Sequence, residues 1–239
     1  MMWKKVSVPN SQEEVKRRHE SNKLAWNEGA TYYTQHLDKS LADLRAGKSG
    51  LHPIERENVL RFGPLDRWCH RAVHLQCASG YDSLSLLLEG AHEVIGIDIS
   101  NLHIENARML SGQLDARASW YCCDVLEVPA ELDGTADLVY TGRGAVTWIQ
   151  DISRWAHVAA RLLKRGGVFS LLDDHPFTWL ISQEHQDLVF SGADYFMHAE
   201  ESVGWTEAYI GSLGKSIDEL SPKYERLWSV SQLVQSIID

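Results

Sequence analysis

Long apolar runs are missing from these 239 residues. No stretch approaches the roughly 18 apolar residues of a membrane-spanning helix, and the start, Met1-Met2-Trp3-Lys4-Lys5, lacks the apolar core of a signal peptide. Cysteine is scarce. The four present, Cys69, Cys77, Cys122 and Cys123, show neither C-x-x-C spacing nor a secretory framework, and they fall in or beside expected strands as reduced core residues. These absences lead us to expect a soluble, cytoplasmic protein with no membrane partner. Positive charge is in deficit, with 23 Lys and Arg against 33 Asp and Glu and a net charge of −10. A broad phosphate-binding face would oppose that field, so nucleic acid is disfavoured as a partner. The basic run Lys4, Lys5, Lys16, Arg17 and Arg18 reads as an ordinary solvated helix face. A full G-x-G-x-x-G is also absent, which argues against a dinucleotide-dependent oxidoreductase.

The length suits one large α/β domain with appended segments. Residues 1–65 read as a helical cap. Ser11, followed by Glu13 and Glu14, opens a helical stretch to about Leu44 that holds the aromatic cluster Trp26, Tyr32 and Tyr33, and Pro53 starts a second helix through about Phe62. Over 66–175 apolar runs alternate with helix-like stretches, the rhythm of parallel β-α-β units. Strands are predicted near Ala72–Cys77, Glu93–Asp98, Ala118–Cys122, Ala136–Thr141 and Gly167–Asp173, and helices near Ser83–Glu89, Leu102–Leu114 and Ile152–Leu163. Gly90 and Gly166-Gly167 are expected to stop helices. Residues 176–239 are irregular and aromatic, the pattern of short strands or of a lid or substrate segment, until helical spacing returns over Ser229–Ile238. The predicted fold class is therefore a doubly wound, mostly parallel, Rossmann-like α/β sheet.

In such a sheet a ligand binds beyond the carboxyl ends of the strands, where turns are tight and helix N-termini offer free N–H groups. The first strand runs into Gln76-Cys77-Ala78-Ser79-Gly80, and Gly80 supplies a permissive backbone. The second strand ends at Asp98, where a carboxylate can accept from both hydroxyls of a ribose. The third leads to Asp124, which can accept from an adenine amino group. Taken singly, Gly80 reads as a turn and each Asp as a helix cap; their ordered spacing suits a nucleoside.

Three segments carry a resemblance: Ala72 to Gly80, Gly90 to Ser100, and Leu162-Leu163-Lys164-Arg165-Gly166-Gly167. They are similar to motifs of the class I S-adenosylmethionine (SAM) methyltransferases. Within that family the chain resembles a small-molecule branch with an HLQC first strand, joined here by Trp148-Ile149-Gln150-Asp151 and Asp174-His175-Pro176-Phe177. The resemblance implies that Gln76, Cys77, Ala78 and Gly80 line the amino-acid end of SAM, Asp98 holds the ribose, Ile99 packs on the adenine, and Asp124 and Val125 read its edge. It places Thr141, Gly142 and Arg143 at the methionine part, and Tyr33 or Tyr32 closing over the cofactor.

Because SAM carries its own leaving group, the protein mainly has to align an acceptor and remove a proton. His175 and Asp174 are the candidate catalytic residues, with His198 and Tyr195 behind them. His175 equally suits a hydrogen-bonded turn, and the aromatics equally suit ordinary core. Departures from the family pattern are Ala78 where glycine is usual, Trp228 where a histidine is expected, and an early end, since relatives continue into two more strands. A negative φ would accommodate Ala78. The early end reads as a trimmed chain, a sheet edge covered by a homo- or hetero-oligomeric partner, or a shortened fold. The expected function is methyl transfer by direct SN2 displacement to a small molecule, in specialised metabolism. The alternative is a noncatalytic methyltransferase-like subunit that stabilises or regulates an active partner.

Overall fold

The structure is a computed structural model that describes residues 2–181, 189–196, 198–207 and 209–239. In chain order the elements are β1 (Met2–Lys5), α1 (Gln12–Gln35), α2 (Leu37–Arg45), α3 (Pro53–Val59), β2 (Arg71–Leu75), α4 (Tyr81–Leu88), β3 (Glu93–Asp98) and α5 (Asn101–Gln113). There follow β4 (Ala118–Cys122), β5 (Ala136–Thr141), α6 (Ile152–Leu162), β6 (Leu163–Leu171), β7 (Ala199–Val203), β8 (Pro222–Arg226) and α7 (Val230–Ile238). Two compact units share the chain: residues 26–142 with 158–172, and residues 1–25 with 143–157 and 173–239.

The first unit holds a five-stranded parallel sheet in the order β4-β3-β2-β5-β6. The central strands are near-continuous apolar runs, buried on both faces as parallel strands require. Leu65, Ala72, Leu86, Val94, Leu138 and Tyr140 pack into one core there. The order reverses direction beside β2, so the carboxyl ends of β3, β2 and β5 form the crevice in which such sheets bind ligands. Local chemistry starts two of the helices. Ser100 Oγ accepts from His103 N at 3.2 Å to cap α5, and His52 with Glu55 forms a capping box ahead of Pro53.

The expected glycine stop is displaced. Helix α6 ends at Leu162, and Gly166-Gly167 lie inside β6, where the ladder jumps from Ala136↔Leu163 to Leu138↔Val168. Gly166 takes φ +82 in this bulge, a conformation that favours glycine.

The second unit contains an antiparallel sheet, β1-β7-β8; the sequence reading allows short strands after Asp173 but predicts neither β1 nor the pairing. The Asn22 side chain accepts from Tyr224 N at 2.6 Å and donates to Tyr224 O at 2.9 Å, satisfying the outer edge of β8 as another strand would. Trp228 is buried there, its indole N–H donating to Ile149 O at 2.9 Å, so it serves as core.

Candidate functional site

The loop after β2 is left-handed at three positions. Gln76 has φ 57, Ala78 φ 46 and Gly80 φ 79. The negative φ that would have accommodated Ala78 is not adopted, so this position stores strain of about 1 kcal/mol relative to glycine. Asp98 holds the loop in that shape. Its Oδ2 accepts from Ala78 N at 2.8 Å and its Oδ1 from Ser100 N at 2.9 Å. Each oxygen keeps a lone pair for a further donor, so the carboxylate can organise the loop and still hold a diol.

Trp120 on β4 closes the loop from below. A Cβ on Gly80 would meet the Trp120 ring at 2.6 Å and Ala107 Cβ at 2.8 Å, and a Cβ on Gly96 would also overlap that ring. Both glycines are therefore required by close approach. The ring itself is anchored by its N–H donating to Ser111 Oγ at 3.0 Å.

Cys77 is buried beneath the loop, and its thiol is pushed well above the ordinary value by burial and secondarily by Asp98. It is a neutral packing group rather than a nucleophile. Under β2, His74 Nδ1 lies 2.8 Å from Ser83 Oγ, and burial pushes its pKa down to about 3. This neutral imidazole ties the strand to the first turn of α4.

The other expected contacts line the same strand ends. Ile99 is half-buried after β3. Asp124 follows β4 and caps a short helical turn by accepting from Leu126 N at 2.9 Å, with Val125 buried beside it. At the end of β5, Thr141 is buried and its Oγ1 has no hydrogen-bond partner among the described residues. The neighbouring Gly142 lies against the Tyr140 hydroxyl, which donates to buried Glu55 at 2.9 Å. Tyr33 packs edge-on against the His103 ring at 5.0 Å.

Sequence reasoning missed a buried polar cluster beside this loop. Ser79 Oγ lies 2.8 Å from His103 Nδ1, Asn106 Nδ2 donates to Ser79 Oγ at 3.2 Å, and Asn27 Oδ1 accepts from Ser100 Oγ at 2.8 Å. A histidine and an asparagine within a helix read as surface residues, and only a three-to-four spacing from Ser100 to His103 to Asn106 could have signalled an inward polar face.

The candidate bases lie in the other unit. His175 is exposed, and its Nδ1 accepts from Phe177 N at 3.1 Å, so it caps a turn. Asp174 is exposed, whereas its neighbour Asp173 accepts from Gly144 N, Val146 N and Asp174 N at 2.8–2.9 Å. Burial nevertheless pushes the Asp173 pKa up. A cleft of about 480 Å³ is lined by Asp174, Thr178, Trp179 and Ile181. His198 is buried with Nε2 3.1 Å from Glu200 Oε2, its Nδ1 unpaired among the described residues and its ring 5.8 Å from that of Trp179. Tyr195 accepts from Val230 N at 3.3 Å. No metal-binding group of His, Cys, Asp and Glu occurs among the described residues, and no described helix is long and apolar enough to cross a membrane.

Comparison with known proteins agrees with this geometry. Residues 72–167 match the model of a family described as a methyltransferase domain. A SAM-dependent methyltransferase from Clostridium acetobutylicum is similar in structure over 86% of this chain and 86% of that one, with TM-score 0.56 and 13% identity. The PH0226 protein of Pyrococcus horikoshii is similar over 77% and 78%, with TM-score 0.52 and 19% identity. For the YcgJ protein of Bacillus subtilis the likeness spans about half of each chain, 52% and 52%, with TM-score 0.46 and 21% identity. At such identities the first two structures share a fold with this chain. No curated protein matches the sequence. Residues 72–167 thus match a methyltransferase-domain family, in a chain whose fold is shared with a solved SAM-dependent methyltransferase.

Proposed function

We propose that the chain binds SAM and transfers its methyl group to a small-molecule acceptor by direct displacement. The observation that carries this reading is the Asp98 carboxylate, which bridges Ala78 N and Ser100 N beside the strained loop while keeping lone pairs for a ribose diol. Asp124, one strand further, supports the adenine end, and Gln76, Cys77, Ala78, Gly80, Thr141 and Gly142 the amino-acid end. SAM supplies the electrophilic methyl group. The chain's own work is to orient the cofactor and to hold and deprotonate the acceptor, for which Asp174 and His175 remain the sequence-based candidates. The acidic charge balance favours a small molecule over nucleic acid.

Calorimetric titration of the purified chain with SAM tests the reading. Binding is expected, and Asp98→Ala is expected to weaken it by about 1.5–3 kcal/mol, the worth of hydrogen bonds to a charged acceptor. Unchanged affinity in Asp98→Ala would remove the cofactor from this place. Absence of binding alone, with binding restored by an adjacent homologue, would favour the noncatalytic subunit instead.

A further inference from the structure

Four buried polar side-chain atoms lack a partner among the described residues, and two of them, His103 Nε2 and Thr141 Oγ1, belong to the elements that follow β3 and end β5, on either side of the Gln76–Gly80 loop. The hydrogen bonds around His103 fix which kind of atom is left over. Asn106 Nδ2 faces Ala30 O at 3.4 Å, and a carbonyl only accepts, so the amide nitrogen is on that side. The same amide donates to Ser79 Oγ at 3.2 Å. Ser79 Oγ accepts from Asn106, and His103 Nδ1, 2.8 Å away, is the one acceptor its hydroxyl proton has among the described residues, so the proton is assigned to that bond. The remaining proton of the neutral ring therefore sits on Nε2. Burial lowers the His103 pKa, which keeps the ring neutral.

The relay thus ends on a buried N–H donor with no acceptor among the described residues. Its surroundings are rings, Trp26 at 5.4 Å and Tyr33 at 5.0 Å between centroids, which offer at most a weak contact to an N–H. An unpaired buried donor is costly, and native structures keep such groups where a ligand satisfies them.

We propose that His103 is a cofactor-positioning residue whose Nε2–H donates to the carboxylate of the cofactor's amino-acid part, with Tyr33 turning aside to admit it. The assignment rests on the SAM reading above and deepens it. The strand order supports the amino-acid end: Asp124 follows β4 and Asp98 ends β3, whereas His103 is wired through Ser79 to the loop of β2, the next strand along.

The test compares two ligands by calorimetry. S-adenosylhomocysteine carries the amino acid, and 5′-methylthioadenosine carries the nucleoside and sulfur without it. His103→Leu is expected to weaken S-adenosylhomocysteine about ten-fold or more, as a bond to a charged group implies, and to leave methylthioadenosine within about two-fold. His103→Gln keeps an N–H donor and is expected to recover most of the loss. Ser79→Ala, which removes the group that sets the ring's tautomer, is expected to weaken S-adenosylhomocysteine alone; it answers the question should His103→Leu not fold. Equal losses for both ligands, or no loss for either, would overturn the assignment while leaving the cofactor reading intact. A wild-type chain that binds neither ligand would overturn both.

Discussion

At the scale of single residues, the site is set by conformations that side chains resist. Ala78 at φ 46 sits where glycine is favoured, and its amide is held there by Asp98. Ala78→Gly is expected to raise stability by about 0.5–1 kcal/mol, since relief of the left-handed strain outweighs the freer unfolded chain. Gly80→Ala is expected to cost about 2 kcal/mol or more, because the added methyl meets both strain and the Trp120 ring. Urea unfolding of both variants checks the opposite signs. Much of this half of the site was legible in the sequence. Gly80, Asp98 and Asp124 each follow an apolar run at a spacing that β-α-β geometry imposes, and the structure puts all three at strand ends of one sheet. Ser79, His103 and Asn106 were not legible, because their role comes from meeting across the loop and α5, a meeting that no local pattern records.

At the scale of elements, legibility follows burial. The three central parallel strands were readable because each is an apolar run with two buried faces, and β4 and β6, which are largely half-buried or exposed, were readable from their place in the alternation of strands and helices. Strands β7, Ala-Glu-Glu-Ser-Val, and β8, Pro-Lys-Tyr-Glu-Arg, were not, since charged residues occupy both faces and β1, which pairs with β7, lies nearly two hundred positions away in the chain. Their pairing sets Glu200 opposite Glu225 and Ser202 opposite Lys223. Lys223 Nζ donates to Ser202 Oγ at 2.8 Å, which in turn lies 3.4 Å from Glu225 Oε2. On β3 the close approach of Trp120 has a measurable consequence. Gly96→Ala is expected to destabilise the chain by about 1–3 kcal/mol, because the methyl would overlap that ring and approach Cys77 Sγ at 2.8 Å. Gly112→Ala, on α5 with open space around it, is the control and is expected to be neutral or slightly stabilising in the same thermal scan.

At the scale of the whole molecule, buried His74 and half-buried Glu225 give the pH dependence of stability opposite slopes. His74 has its pKa pushed down from 6.5 to about 3 by burial. The unfolded chain therefore binds the proton first, and stability falls as pH drops below about 6.5 towards 3. Glu225 has its pKa pushed up from 4.5 to about 7, mainly by burial, which outweighs nearby Lys223, with Glu200 adding repulsion. Here the folded chain holds the proton longer, so stability falls as pH rises from about 4.5 to 7 and is level above that. Between 4.5 and 6.5 the two slopes oppose, and this part of the wild-type profile is expected to be shallow. Glu225→Gln removes one slope, since the amide is neutral at every pH. The variant is expected to match the wild type near pH 4.5, to exceed it by about 1–2 kcal/mol at pH 8, and to show the His74 decline between 6.5 and 4.5 uncovered. Glu200 stays coupled to Glu225, while the carboxylates that do not interact with Glu225 cancel in the difference between the two proteins. Urea midpoints at pH 4.5, 5.5, 6.5 and 8 measure it, and a difference that stays constant across that range would mean that Glu225 is ionised in the folded chain and lies in a wetter place than the face shared by β7 and β8.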